Sequence, residues 1–436
     1  MKTSRQPSEQ SGLSICLLAG EASGDAQGAL LARALRAEFE RAGFRLSLWG
    51  SAGQLMKEAG VEPVVHIDEL SAMGFGEVVA VYPRLSSAAH RLQSSLRLRK
   101  PDITILIDYP GLNMRLMEDA FHLGSCVVYH IPPKVWAHGA ARAARLRDCT
   151  YLVTCILPFE EKLLRAAGIN AKFIGNPLSD EVSHFLEHKK AHAQRHPHEA
   201  DKSSSLIPCV GLVPGSRAGE IERVFPEMIK AFVKTKAAMG GALKAVVPVA
   251  PTVSQSRLEQ ILHSTLESEA SLSVRVDIEL VGKQPLIQVL HNCRYAWVCS
   301  GTAALEAALL GVPHSVVYKM HWLTYAIAKR IVRLPWISLE NLCSERQIVP
   351  EFIQDGISAR ALSEHALSIL QSAQNENLMR HELMEIANLF PKDSARHAAK
   401  AVLDCFLSLP STSAQRFHSK AVRDLIAEDK AWGLNK

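Results

Sequence analysis

Short apolar runs, each closed by a turn of glycine, proline or acid and followed by a helical pattern, recur along most of this chain. In the first half they are Ser14 to Leu18, Ile103 to Ile107, Cys126 to Tyr129, Tyr151 to Leu157 and Lys172 to Ile174. After a polar interval they resume as Cys209 to Val213, Ala245 to Val249, Val274 to Leu280, Tyr295 to Cys299 and Val316 to Lys319. An apolar run without alternation reads as a strand buried on both faces, and strand–turn–helix repetition builds parallel sheets with helical crossovers. A chain of 436 residues also exceeds the size at which one core keeps growing. The pattern therefore predicts an α/β chain of two parallel, doubly wound domains.

The interval itself, residues 182–206, carries five histidines, lysines, a proline and a serine-rich run. It reads as a surface helix leading into a hinge. The predicted domains are then residues 1–205 and 206–410, with a polar tail over 411–436. His184, His188, His192 and His196 recur at helical spacing, but an apolar-poor helix ended by Pro197 favours a solvated surface over a metal site.

Totals narrow the function classes. A formal charge of +5 suits anionic ligands or an anionic bilayer and falls short of the clustered basic character of a nucleic-acid-binding domain. The nine cysteines lack zinc or thioredoxin-like spacing, so reduced thiols in a cytosol are expected. The apolar run Ile15 to Ala19 is too short for a signal peptide, and no stretch approaches the ~18 apolar residues of a spanning helix.

In open α/β sheets, ligands bind at the carboxyl ends of the strands. In the first half that edge receives Glu21, Ser23 and Asp25 after the first strand. These can hydrogen-bond sugar hydroxyls, although Ser23 or Asp25 capping the following helix explains them equally. Asp108 ends Ile103 to Ile107, ahead of Asn113, and His130 ends the next strand, ahead of Trp136. A carboxylate there is better placed for chemistry than for stability, because it carries a desolvation cost. A hydrogen-bonded structural role is the alternative for His130. Met73 to Pro83 and His321 to Arg333 combine apolar and basic residues in a way that fits either a membrane face or ordinary packing.

In the second half, Ser300, Gly301 and Thr302 follow a buried strand and open a helix. Backbone N–H groups, two hydroxyls and a helix dipole there suit phosphate, while helix capping is the plainer alternative. Glu306, one turn on, faces the same side and suits ribose hydroxyls. Arg217, in Pro214-Gly215-Ser216-Arg217, adds a guanidinium at a second helix start, suited to a diphosphate. Asn341 offers one more polar contact.

The motifs Gly20-Glu21-Ala22-Ser23-Gly24-Asp25, Met73-Gly74-Phe75, Ile107-Asp108 with Pro110 and Asn113, Val135-Trp136-Ala137, Leu157-Pro158-Phe159-Glu160, Pro214-Gly215-Ser216-Arg217, Ser300-Gly301-Thr302-Ala303 with Leu305-Glu306, and Asn341-Leu342 stand in one order. In that order the chain resembles the lipid-A-disaccharide synthases, from about Ser14 to Gln354. The resemblance implies a GT-B-like pair of Rossmann-like domains with the active site in the cleft between them. It implies inverting transfer from UDP-2,3-diacylglucosamine to 2,3-diacylglucosamine 1-phosphate, forming a β-1,6 link and releasing UDP. Asp108 is then the expected base, with His130 beside it. Glu21, Ser23, Asp25, Asn113, Trp136, Arg217, Ser300, Gly301, Thr302, Glu306 and Asn341 are the expected substrate contacts. No metal or cofactor is implied.

Expected partners are the UDP-sugar, the acylated acceptor and a membrane surface at the cytoplasmic side of the inner membrane, with a homodimer compatible. Another UDP-sugar transferase or epimerase, or a non-catalytic lipid- or nucleotide-binding paralogue, is the competing reading. Departures from the family pattern fall at Tyr129-His130 (usually His-Tyr), Pro132-Pro133-Lys134 (usually Ser-Pro-Ser), Gly111 (usually Asp), Asn176 (usually His) and Glu340 (usually Pro).

Overall fold

The computed structural model describes residues 12–70, 78–135, 140–195, 207–268, 277–282, 284–321, 325 and 334–409. The chain forms two compact units, one of Met1–Pro177 with Asp393–Lys436 and one of Leu178–Lys392. These bounds differ from the predicted 205/206 and 410/411. The start of the His-rich interval belongs to one continuous helix, Pro177–Arg195, with Ser179 and Val182 buried. The final helix, Ser394–Ser408, returns to the first unit.

The first unit carries seven parallel strands in the order β3-β2-β1-β4-β5-β6-β7. They are β1 (Gly12–Leu18), β2 (Arg45–Ala52), β3 (Glu62–His66), β4 (Ile103–Ile107), β5 (Cys126–His130), β6 (Leu152–Cys155) and β7 (Ala171–Phe173). Side-chain alternation sorts its apolar residues into two layers. Ile15, Leu17, Ile103, Ile105 and Ile107 face one core, while Cys16, Leu18 and Leu106 face the other. Both faces being covered is why the central strands β4 and β5 read as unbroken apolar runs, whereas β2 and the edge strand β3, with exposed polar residues, do not.

The first core is completed from the far end of the chain. Ala398, Val402 and Phe406 of the last helix join Phe39 and Phe44 in it, and the Phe406 ring centroid lies 6.5 Å from each of those two rings. Burying Phe406 contributes roughly 2–3 kcal/mol.

The second unit carries six parallel strands in the order β10-β9-β8-β11-β12-β13. They are β8 (Cys209–Val213), β9 (Lys244–Pro248), β10 (Ile278–Val281), β11 (Tyr295–Cys299), β12 (His314–Tyr318) and β13 (Glu351–Ile353). In each sheet the strand order reverses once, between β1 and β4 in the first and between β8 and β11 in the second. A crevice opens at the carboxyl ends of such a strand pair, where both crossovers leave in opposite directions.

Candidate active site

In the first unit, the switch point brings together the turn after β1, with Gly20 and Glu21, and the turn after β4, with Asp108 and Tyr109. Asp108 (φ +45°) and Tyr109 (φ +47°) are both left-handed, and Ile131 (φ +59°), just past the neighbouring strand β5, is a third. Each such residue costs about 1–3 kcal/mol, so three in one corner must be held in place by their surroundings.

The holding contacts are explicit. The Asp108 N–H donates to the His130 carbonyl at 3.0 Å. The Asp108 carbonyl accepts from Asn113 Nδ2 at 2.8 Å and from the Tyr129 hydroxyl at 2.9 Å. Asn113 Nδ2 also donates to the carbonyls of Leu18 and Ile107, each at 3.2 Å. Tyr109 lies against Gly20 and donates its hydroxyl to the Leu70 carbonyl at 2.6 Å. The Asp108 carboxyl is raised above the usual carboxylate range, first by burial and further by the Glu21 charge, against the Tyr109 N–H and Lys134, which lower it. A carboxylate short of solvation is more basic than a solvated one, the property a general base requires.

The other predicted residues of this unit divide. Glu21 and Ser23 are exposed at the same edge and bonded to each other at 2.8 Å. Asp25 is buried and fully engaged: it accepts from the backbone N–H groups of Gly53 at 2.8 Å, Leu55 at 2.9 Å and Met56 at 3.1 Å. It therefore caps the helix Gln54–Glu58, neither the helix it stands in nor a sugar. Asn113 likewise braces the strand ends. His130 is buried with Nδ1 2.9 Å from Thr154 Oγ1, and burial pushes its imidazole down to about 4, so the ring is neutral at physiological pH. Trp136, Met73 to Phe75 and most of His321 to Arg333 lie outside the described residues.

In the second unit, both phosphate-suited turns meet at the switch point, since β8 and β11 pair directly. Gly215 (φ +101°) lets its turn close on the other: a Cβ there would sit 3.4 Å from Cys299. Thr252 Oγ1 donates to the Ser216 carbonyl at 2.8 Å, fixing the same turn. Arg217 starts the helix Ala218–Ala238 and is largely exposed, meeting Glu220 at 3.1 Å. Such an exposed pair contributes little to stability.

Gly301 (φ +141°) precedes the helix Thr302–Leu309, whose start has no side-chain cap, and a Cβ on Gly301 would meet nothing within 4 Å. The backbone N–H groups of Gly301 and Thr302 have no hydrogen-bond partner among the described residues. Ser300 does not join them. Its N–H donates to the Val317 carbonyl and its hydroxyl to the Ile337 carbonyl, each at 3.2 Å. Glu306 is half-buried, and burial together with Glu181 raises its carboxyl to about 7.

Asn341 is fully buried, with Nδ2 on the Val349 carbonyl and the Glu351 carboxylate and Oδ1 accepting from the N–H groups of Ile348 and Val349. All its hydrogen-bonding capacity goes to protein, which removes it from the substrate contacts.

A family model for lipid-A-disaccharide synthetase matches residues 15–402. The chain belongs to the lipid-A-disaccharide synthase family. The lipid-A-disaccharide synthase of Acidobacterium capsulatum is 34% identical over 379 residues, 85% of this chain and 90% of that protein. That of Myxococcus xanthus is 33% identical over 391 residues, 89% of this chain and 97% of that protein. Family membership makes this an enzyme of lipid A disaccharide synthesis, using a UDP-sugar donor and a lipid acceptor.

Solved structures with the same GT-B-like fold include the S. aureus MnaA–UDP complex, at TM-score 0.60 and 13% identity over 92% of this chain and 98% of that one. A second is the UDP-GlcNAc 2-epimerase of Neisseria meningitidis bound to UDP-GlcNAc, at TM-score 0.54 and 12% identity over 92% of this chain and 100% of that one. At such identities they show the fold alone.

Three of the departures from the synthase family pattern have defined surroundings in the structure. A side chain at Gly111 would meet nothing within 4 Å, so glycine leaves no packing defect. Asn176 is buried and donates to the Ile156 carbonyl at 3.2 Å, tying the end of β6 to the chain after β7. Glu340 is fully buried, 3.3 Å from His314 Nε2, and its Oε2 has no hydrogen-bond partner among the described residues. Tyr109, Tyr129 and Glu351 are the residues at these corners that sequence reasoning missed. Only the repeated Tyr and acid at strand ends hinted at them.

Proposed function

We propose that this chain transfers the diacylglucosaminyl group of UDP-2,3-diacylglucosamine to the 6-hydroxyl of 2,3-diacylglucosamine 1-phosphate. Asp108 accepts the hydroxyl proton as O6 forms its bond to the anomeric carbon. The bond from that carbon to the UDP oxygen breaks in the same displacement, so the configuration inverts and the electron pair leaves on the diphosphate. Arg217 and the N–H groups of Gly301 and Thr302 meet that charge, and Glu306 receives ribose hydroxyls. His130, neutral and bonded to Thr154, positions Asp108 through its carbonyl. Glu21 and Ser23 contact the acceptor sugar.

The observation that carries this reading is the strained, desolvated Asp108 at the switch point of the first sheet, in a chain of this family. Its test is UDP release from the purified chain. Release that requires both acylated substrates, and that Asp108→Ala abolishes while UDP binding persists, supports it. Full turnover by that variant rules Asp108 out as base.

Both substrates are amphiphiles, so the reaction belongs at the cytoplasmic surface of the inner membrane, with the chain peripherally bound. No helix among the described residues is long and apolar enough to cross a bilayer. Sedimentation with anionic liposomes at low salt, lost at high salt, is the expected behaviour. A homodimer is compatible with the reading, and light scattering at working concentration decides it.

A further inference from the structure

The structure assigns Glu351 as a positioning residue that sets the donor-side turn through Ile337 and Ser300. The inference rests on the donor site described above. Glu351 opens β13, and its carboxylate gathers the loop before the helix Leu339–Ser344. The Ile337 N–H donates to Oε2 at 3.0 Å and to Oε1 at 3.2 Å, and the Ser338 N–H donates to Oε1 at 3.0 Å. The Ser338 hydroxyl follows at 2.6 Å and Asn341 Nδ2 at 2.9 Å. Ser338 is the N-cap residue of that helix but makes no cap with its own side chain. The carboxylate receives its hydroxyl and N–H instead.

This convergence fixes the Ile337 peptide, and it is the carbonyl of the same residue that accepts the Ser300 hydroxyl. Ser300 is thereby turned away from the ligand space, and its own N–H is held by Val317 of β12. With Ser300 anchored on two sides, the next two residues, Gly301 and Thr302, keep backbone N–H groups that have no partner among the described residues. A carboxylate accepting this many hydrogen bonds is a strong, directional anchor. Asn341 belongs to the same brace from behind, which explains why a residue of the family motif is buried away from any substrate.

The brace is distinguishable from generic stability because it acts on the donor alone. UDP affinity is measured by calorimetry for the native chain, Glu351→Gln, Ser300→Ala and the double variant, with thermal melting alongside. Glu351→Gln is expected to weaken UDP roughly tenfold, the size of one lost charge-assisted hydrogen bond. The KM for the acceptor is expected to stay unchanged. Ser300→Ala cuts the same link at its other end, so the double variant is expected to lose no more than the larger single loss.

UDP affinity within twofold of native in folded Glu351→Gln, or fully additive losses, overturns the assignment. Should Glu351→Gln not fold, Ser300→Ala decides alone, and native UDP affinity there also overturns it. Failure of the native chain to bind UDP at all instead defeats the donor-site reading.

Discussion

A methyl group on Gly20 would lie 2.2 Å from the ring of Tyr109. Two turns, one after β1 and one after β4, are thus in direct contact at the only residue type that permits it. Gly20→Ala must push Tyr109 off its Leu70 bond and with it the left-handed Asp108. We expect turnover to fall on the order of a hundredfold, the usual result of moving a reacting group by about 1 Å. UDP binding, in the other unit, should stay within twofold. Steady-state kinetics beside UDP titration checks this.

Asp108→Asn should abolish turnover and raise the melting temperature. Burial raises the carboxyl's folded pKa above its unfolded value. The folded chain therefore holds that proton at a pH where the unfolded chain has released it, and the group costs stability as pH rises through that interval. Removing the charge removes the cost. In the native enzyme the same shift sets an acid limb on kcat/KM above the ordinary carboxylate range, since only the ionised form accepts a proton. A variant that melts lower at neutral pH would contradict the assignment.

Glu306 should make UDP binding depend on pH near neutrality. Its carboxyl is raised from an ordinary 4.5 to about 7, and accepting ribose hydroxyls needs the ionised form. Affinity is expected to strengthen as pH rises through about 7, and Glu306→Gln to lose that component. The terminal phosphate of UDP titrates in both proteins and cancels in the comparison. Glu181→Gln, which removes the neighbouring like charge, should move the transition to lower pH. Calorimetry in two buffers of different ionisation enthalpy reads the proton directly.

Asp25→Ala should destabilise the first unit without altering substrate KM. It strands the N–H groups of Gly53, Leu55 and Met56, at a cost on the order of 2 kcal/mol. A substrate contact would show the reverse: a raised KM in a chain of native melting temperature.

Much of this architecture was legible. Apolar runs ending in Gly, Pro or acid marked ten of the thirteen strands among the described residues; β2, β3 and β13 went unread, because polar residues or short length break their apolar pattern. The placement of Asp108 and the Gly301 turn at the carboxyl ends of β4 and β11 was legible from the same apolar runs. Asp25, Asn113, Ser300 and Asn341 show the limit. Each is a polar residue at a strand end or helix start, and their roles depend on backbone groups far away in sequence, 31 positions for Asp25 and Met56 and 95 for Asn113 and Leu18. The left-handed corner at Asp108 and Tyr109 was invisible, because neither is glycine and the strain is repaid by Tyr129 and Asn113 through space. The ownership of the last helix was equally hidden: an apolar stripe says that a helix packs and leaves open on what.

That helix has a consequence for the order in which the protein is made. Phe39 and Phe44 leave the ribosome early, whereas Phe406, which closes their core, is among the last described residues to be synthesised. The first unit must therefore wait, with part of its apolar interior uncovered, while the whole of the second unit is translated and free to fold. Synthesis runs from the amino terminus, but the amino-terminal unit is the one that matures last.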